Sequence, residues 1–136
     1  MTKEFQNLNE YRGFVNDLTS DASKNIDAFQ ARITELHNAG ADVPRLLTAA
    51  IGMSSEGGEF SEIVKKIVFQ GKEYNHENVH HMRRELGDII WYWMNACTAL
   101  KIDPQAVIQE NIEKLSARYP GGFDAWLSEN RRENDI

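Results

Sequence analysis

The sequence predicts an all-α protein, a helical bundle of about five helices with a four-helix core, forming one domain over residues 1–136. Only three prolines occur among the 136 residues, and few turn-forming clusters interrupt the chain. Apolar residues also recur at helical spacing along most of its length. A chain of this size can bury a sizeable core.

Two predicted helices occupy the N-terminal third. The segment "LNEYRGFVNDLT", residues 8–19, carries apolar side chains near helical spacing. A second helix is expected over residues 20–40, with Gly40 as its C-terminal cap. The apolar positions of the second helix also fall on one face.

Three longer helices follow. The third is expected from about Val43 to Gln70, with Gly71 as its stop and "GKEYNH" as a loop. The fourth runs from about Glu77 to Lys101. The fifth begins after "IDP", with Asp103 as the N-cap and Pro104 at the first helical position, and continues to about Tyr119.

The predicted motif-bearing core covers residues 43–123. The end of the chain, from Phe123 onward, is polar and charged apart from Phe123, Trp126 and Leu127, and residues 124–136 form the predicted polar tail. This tail is expected to be partly docked at best. No internal repeat or domain linker is evident.

Charge and composition exclude several classes of function. The formal net charge is −6, which argues against binding a nucleic-acid polymer over a broad surface. No apolar run reaches the roughly 20 residues that span a bilayer, and one cysteine, Cys97, suits a reducing compartment. A soluble, cytoplasmic protein without membrane partners is expected.

Two pairs of carboxylates stand at helical spacing on consecutive helices. Glu56 and Glu59 share a face because residues three apart are neighbours on a helix, and Glu85 and Asp88 in "ELGD" repeat the spacing. If the two helices pack antiparallel, the pairs can converge. Four acids in one place repel each other unless a cation compensates, and Mg²⁺ prefers oxygen ligands of this kind. The simpler reading of either pair alone is a solvated helix face.

Two adjacent glycines, Gly57 and Gly58, separate the first pair of glutamates. Each glycine inside a helix costs about 0.5–1 kcal/mol relative to alanine. We expect that they allow a neighbouring helix, or a ligand, to approach the backbone beside the glutamates.

The fourth and fifth helices are each predicted to have two faces. On the fourth, Leu86, Ile90, Trp93 and Cys97 form the expected core side, and a second side carries His81, Glu85, Asp88, Tyr92 and Asn95. On the fifth, Asn111, Lys114 and Arg118 form a polar face able to hold phosphate oxygens, although it can equally be a solvated face. Lys66 points the same way as Glu59 and could reach a phosphate or neutralise Glu62.

These segments resemble the MazG-like members of the all-α nucleoside triphosphate pyrophosphohydrolases, and especially short phage-borne members. The family signature has two adjacent glutamates, a third three residues later, and E-x-x-D on the following helix. "SEGGE" and "ELGD" match it with 25 residues between Glu59 and Glu85, and "NIEKLSARYP" resembles the downstream N-x-x-K segment. Ser55 replaces the first of the adjacent glutamates.

The resemblance implies a metal-dependent enzyme that splits a (deoxy)nucleoside triphosphate between the α and β phosphates, releasing a monophosphate and pyrophosphate. Purine nucleotides such as dGTP are favoured, and Mg²⁺ is the implied cofactor, with Mn²⁺ as a substitute. The implied metal ligands are Glu56, Glu59, Glu85 and Asp88. Glu59 and Glu56 are the catalytic candidates, and the implied phosphate-binding residues are Asn111, Lys114, Arg118 and Lys66.

The base-binding residues and the assembly are less directly indicated. The candidates for contacting the base are Trp91, Tyr92, Trp93, Asn95 and the N-terminal helices, although aromatic residues in an apolar helix are also typical of a core. A homo-oligomer is expected, a tetramer in preference to a dimer, because a helix that is apolar nearly all round needs more cover than a small monomer supplies.

Two other functions fit parts of the sequence. A di-iron or di-manganese bundle needs Glu-x-x-His motifs on facing helices, and "EYNH" and "ENVH" have that spacing, although both lie at or near the loop. A bundle that binds nucleotides without turnover is the second alternative, suggested by Ser55.

Overall fold

The structure, a computed structural model, describes residues 7–130. This part of the chain is all-α and contains no strand, which confirms the predicted fold class. The helices are α1 (Leu8–Leu18), α2 (Ile26–Asn38), α3 (Val43–Phe69), α4 (His76–Leu100), α5 (Pro104–Arg118) and α6 (Ala125–Glu129).

The N-terminal part of the chain forms one compact unit, which ends at Val43. Helix α1 begins after Asn7, whose side chain accepts hydrogen bonds from the backbone N–H groups of Asn9 and Glu10. Helix α2 is shorter than predicted because Asn25 caps it, accepting from the Ala28 N–H at 3.0 Å. The preceding residues Asp21–Ser23 form a 3₁₀ turn instead.

The second compact unit begins at Pro44 and contains all the motif-bearing residues. Helix α3 ends one residue earlier than predicted, and Gly71 follows with a left-handed φ of +70°. Helix α4 begins at His76 because the Asn75 side chain accepts from the Asn78 N–H at 3.0 Å. The buried Asn78 side chain donates to the Glu73 carbonyl at 2.7 Å and holds the connecting loop.

Helix α5 has the predicted start. Asp103 is the N-cap, accepting from the Gln105 N–H at 3.0 Å, and Pro104 occupies the first turn. The tail contains one element that the sequence did not predict, the short helix α6, which Asp124 caps through the Leu127 N–H. The end of the predicted tail, residues 131–136, lies outside the described residues.

The predicted core side of α4 is only partly buried in the single chain. Cys97 is buried, but Leu86 and Ile90 are 51% and 59% exposed, and Trp93 is half-buried. The side of α4 that meets α3 carries Glu85, Tyr92 and Asn95, and each of these residues lies close to a residue of α3. The reason is that α4 has two neighbouring helices. Ile90 and Trp93 border a cleft together with residues of α5, so the most apolar side of α4 need not be the side that meets α3.

Candidate active site

Helices α3 and α4 run antiparallel, and contacts along their length define their register. Near one end, the Arg45 guanidinium donates to the Asn95 side-chain oxygen at 3.1 Å. Further along, Gly52 lies against Tyr92 so closely that a Cβ at Gly52 would overlap the aromatic ring. Early residues of α3 therefore meet late residues of α4, which is the arrangement that lets the two acidic pairs converge.

Three carboxylates meet across this helix pair. One oxygen from each of Glu56, Glu59 and Glu85 can be chosen so that all three lie within 4.8 Å of one another. Glu56 and Glu85 are half-buried, and Glu59 is exposed. Oxygen atoms at these separations can bind one hard divalent cation, for which carboxylates are the usual ligands. The sequence-based prediction of convergence holds for these three residues.

The surroundings of Glu56 disfavour the ionised form of its carboxyl group. Partial burial raises the pKa of the Glu56 carboxyl, and the nearby charge of Glu59 raises it further. A hydrogen bond with Glu85 acts in the same direction, as do the charges of Asp88 and Glu85. Asp88 is outside the 4.8 Å group, yet it is close enough to act on Glu56, so it borders the site.

Of the two roles expected for Gly57 and Gly58, the approach of a neighbouring helix does not occur within the described chain. No described atom from another part of the chain lies within 4 Å of a Cβ built at either glycine, so no neighbouring helix of this chain approaches there. The close helix approach occurs at Gly52 instead, one turn before Glu56. The structure leaves open space beside Gly57 and Gly58, which is compatible with the expected approach of a ligand.

An apolar cleft begins next to the acidic group. It has a volume of about 710 Å³ and is bordered by α3, α4 and α5. Asn111 and Lys114, two of the predicted phosphate-binding residues, line it. Arg118 follows one turn after Lys114 and is half-buried, with its guanidinium 5.8 Å from the centre of the Tyr119 ring.

Lys66, the fourth predicted phosphate-binding residue, has a partner within its own helix. Its ammonium group lies 3.3 Å from Glu62, and Lys65 pairs with the same carboxylate. These two lysines lower the pKa of Glu62. The neutralising role is therefore the one that the structure shows for Lys66.

Comparison with known proteins decides which family these residues belong to. The profile of the MazG nucleotide pyrophosphohydrolase domain matches residues 46–123, more than half of the 136-residue chain. The chain belongs to the MazG family. The matched segment contains α4, α5 and nearly all of α3, and with them every residue of the acidic group.

One relative of this MazG-family chain is a phage protein. It is the "Gene 37 protein" of Mycobacterium phage L5, which is 29% identical over 113 residues and aligned over 78% of this chain and 98% of its own length. No solved structure shows a significant match. Among residues 7–130, no helix is long and apolar enough to cross a membrane.

The predicted base-binding residues of this MazG domain have different surroundings. Trp91 is 58% exposed and packs edge-on against Tyr92, with ring centres 4.8 Å apart. Tyr92 is half-buried against Gly52, and Asn95 accepts from Arg45. Their role in base binding stays a prediction.

Two basic residues beside the acidic group were not predicted as part of the site. His81 and Arg84 line a shallow cleft of about 490 Å³ together with Glu59 and Glu85. His81 precedes Glu85 by four residues, so the i, i+4 spacing was a signal that could have placed it beside that carboxylate. His81 was predicted to lie on the same side of α4 as Glu85, as a loop or surface residue.

The acidic group also bears on the di-iron alternative. Within the part of the chain that the structure describes, the one metal-competent group is the three glutamates, and no histidine belongs to it. A di-iron carboxylate site needs a Glu-x-x-His motif from each of two helices. The described residues therefore offer three carboxylates to a metal ion and do not form the histidine-containing site that this alternative requires.

Proposed function

We propose that this MazG-family protein hydrolyses a (deoxy)nucleoside triphosphate between its α and β phosphates, giving a nucleoside monophosphate and pyrophosphate. The observation that carries the proposal is the meeting of Glu56, Glu59 and Glu85 beside a cleft lined by Lys114. The family match supplies the class of reaction, and the carboxylates and the lysine supply groups suited to a metal-complexed polyphosphate.

The metal ligands of the proposal are Glu56, Glu59 and Glu85, with Asp88 as the fourth. Mg²⁺ is the expected ion, and Mn²⁺ can replace it, because all four donors are carboxylate oxygens. When bound, the ion would neutralise phosphate charge and lower the pKa of a coordinated water molecule. The raised pKa of Glu56 supports this assignment, since partial burial and then the charges of neighbouring carboxylates disfavour its ionised form, and a bound cation would compensate for both.

Glu59 is the proposed acceptor of the proton from the attacking water, with Glu56 as the second candidate. Glu59 is exposed, so water can reach its carboxylate directly. The outer glutamate that the family resemblance leads us to expect is Ser55 in this chain. The remaining carboxylates must then take over any role that this residue has in holding the water.

Asn111, Lys114 and Arg118 are proposed to hold the phosphates. Asn111 and Lys114 line the cleft, and Arg118 follows one turn later on α5. Holding the polyphosphate against the acidic group contributes to catalysis by positioning, because little of the reaction depends on covalent chemistry by the protein. Lys66 can take part only if it leaves Glu62.

The finer features of the substrate and of the assembly belong to the same proposal. We favour purine deoxynucleotides, with dGTP first, bound with help from Trp91, Tyr92 and Asn95. The phage relative supports action in a host cytoplasm. A homo-oligomer, a tetramer in preference to a dimer, is proposed because many large apolar side chains of α3 to α5 are exposed in the single chain.

The decisive test is a panel of ribo- and deoxynucleoside triphosphates with Mg²⁺ or Mn²⁺, with separate assays for pyrophosphate and orthophosphate. We expect monophosphate and pyrophosphate, with no activity after chelation. The Glu59→Gln variant should lose at least about 100-fold in kcat, the lower range for a general base. Glu129→Gln, which changes an exposed carboxylate of α6, is the matched control and should retain activity.

Two results would contradict the proposal. Orthophosphate with a diphosphate product would place the cleavage at the wrong bond. Tight nucleotide binding without any product would favour the sensing alternative that Ser55 suggests.

A further inference from the structure

The shallow cleft that contains His81 and Arg84 borders the acidic group on the side away from the apolar cleft. Along α3, Met53 lines the apolar cleft and Ile63 lines the shallow one. Along α4, Ile89 lines the apolar cleft and His81 the shallow one. The three glutamates of the acidic group occupy intermediate positions on both helices. A linear ligand bound at the carboxylates can therefore extend in two directions.

The lining of the shallow cleft consists almost entirely of ionisable side chains, and its apolar member is Ile63. Three carboxylates belong to this lining, and each has a role that reduces its repulsion of an anion. Glu59 and Glu85 are proposed metal ligands, and Glu62 is already paired with two lysines. The groups that can donate hydrogen bonds to an anion in this cleft are the two basic residues of α4.

Arg84 is the stronger donor of these two. It follows His81 by three residues, so the two side chains are neighbours on one face of α4, and both are exposed. Among residues 7–130, the Arg84 guanidinium makes no ion pair or hydrogen bond, although it lines a cleft with carboxylates of the acidic group. A guanidinium is planar and permanently charged, and it can donate two parallel hydrogen bonds to a phosphate.

The geometry points to the shallow cleft as the subsite for the phosphates that leave as pyrophosphate, with Arg84 as the residue that binds them and His81 as an additional donor. This inference depends on the proposed function and adds a substrate-binding residue to it. The nucleoside is the bulky and uncharged part of such a substrate, whereas the terminal phosphates are compact and anionic. The terminal phosphates are the part that matches a shallow cleft with a cationic wall.

This arrangement places cations on both sides of the acidic group. Lys114 lines the apolar cleft, and Arg84 lines the shallow one. A phosphate chain held from two sides has fewer orientations available, which favours alignment of its scissile bond with the attacking water. Arg84 would also stabilise the negative charge that develops on the leaving pyrophosphate as this bond breaks.

Equilibrium binding of the two products tests the assignment without turnover. Calorimetry with pyrophosphate and with dGMP, each with Mg²⁺, gives Kd values for wild type, Arg84→Ala, Arg84→Lys and Arg83→Ala. Arg83 is the matched control, because it is the adjacent arginine of α4, is exposed and does not line the shallow cleft. Circular dichroism and the Kd for Mg²⁺ alone show whether each variant is folded and keeps its acidic group.

We expect Arg84→Ala to raise the Kd for pyrophosphate about 10-fold, the lower range for a hydrogen bond to a charged group, because the cleft is open to solvent. The Kd for dGMP should change less than about twofold, and Arg83→Ala should leave both values within the same limit. Arg84→Lys keeps the charge but loses the planar fork, so its Kd for pyrophosphate should be intermediate.

Three results would overturn the inference and leave the proposed function intact, given a wild type that hydrolyses dGTP. Unchanged pyrophosphate binding by Arg84→Ala, with tighter binding of Mg²⁺, would make Arg84 a counter-charge for the carboxylates. A loss confined to dGMP would place the monophosphate end in this cleft. An equal loss in Arg83→Ala would show a general effect of surface charge. A wild type that binds pyrophosphate but hydrolyses no nucleotide would overturn the proposed function and this assignment together.

Discussion

At the scale of single residues, partial burial and the like charges around it give Glu56 its distinct chemistry. The carboxyl is partly desolvated, hydrogen-bonded to Glu85 and close to the charges of Glu59 and Asp88, and its pKa is raised. Glu62, only six residues later on the same helix, has a lowered pKa because Lys65 and Lys66 pair with it. The two glutamates differ in their neighbours. Glu56 lies among carboxylates and is suited to binding a cation, whereas Glu62 is already paired with two lysines.

The raised pKa predicts how magnesium binding depends on pH. Glu56 takes up a proton at a higher pH than an ordinary glutamate does, so protons should compete with Mg²⁺ in a range where ordinary carboxylates stay ionised. Calorimetric titrations in buffers of different ionisation heat should show proton release when Mg²⁺ binds below neutral pH. Binding without proton release at every pH between about 4.5 and 7 would contradict the assignment of Glu56 as a ligand.

The same shift predicts the stability of the metal-free protein. A carboxyl with a raised folded-state pKa stabilises the fold below its unfolded-state pKa, and this contribution is lost as the pH rises through the folded-state value. The Glu56→Gln variant should therefore have a higher Tm than metal-free wild type at pH 7, with a smaller difference near pH 4. Magnesium should raise the Tm of wild type and have little effect on the variant, as thermal melts can show.

At the scale of helices, the approach of α3 to α4 depends on a glycine that the sequence analysis did not single out. Gly52 lies against the Tyr92 ring, whereas Gly57 and Gly58 have open space beside them. The same residue type therefore has two different roles within one helix, and only the position of the partner helix distinguishes them.

This difference predicts opposite effects for two alanine substitutions. Gly52→Ala should destabilise the protein by about 1–3 kcal/mol, since the added methyl group must displace an aromatic ring from a packed contact. Gly58→Ala should stabilise it by up to about 1 kcal/mol, because the methyl group meets no described atom and alanine favours the helix. Urea unfolding of both variants provides the measurement.

Activity then tests what Gly58 is for. If the glycines leave room for the substrate, Gly58→Ala should raise KM for the nucleotide in spite of its higher stability. A more stable variant with unchanged kinetics would leave the glycines without a role in binding.

At the scale of the whole molecule, residues 7–130 of the single chain include no large side chain that is fully buried. Among the described residues, the buried apolar ones are Val43, Ala49, Cys97 and Ala99, and no large side chain is fully buried. Helix α3 in particular exposes Leu47 and Ile51, which are four residues apart and share a face. Such exposure of apolar surface is typical of a protein that associates.

The proposed homo-oligomer predicts a particle mass that sedimentation can measure. Sedimentation of wild type should show a species several times the 15.6 kDa chain, with four chains preferred over two. Ile51→Lys, at a position 68% exposed in the single chain, should shift the protein to smaller species with its helical circular dichroism retained. Gln30→Lys on α2 is the control for added charge at an exposed position. A wild type that sediments as a monomer would contradict the proposal.

The sequence by itself determined the helices and the identity of the acidic residues. Helix ends depend on local chemistry, such as the Asp103 cap, the Pro104 start and the Gly71 stop, and these signals lie within a few residues of the ends they set. The same is true of the face shared by Glu56 and Glu59, which follows from 3.6 residues per turn. Where local signals competed, as at the start of α2, the prediction missed by several residues.

Only the tertiary structure decided which faces meet. The register of α3 against α4 selects Gly52 as the close contact, brings Glu85 to Glu56 and turns Trp93 toward a cleft with α5. None of these pairings follows from spacing along one helix, because spacing gives the faces of a helix but not their partners. Partners are chosen by packing between segments distant in sequence, and that free energy is shared among all the contacts that form together.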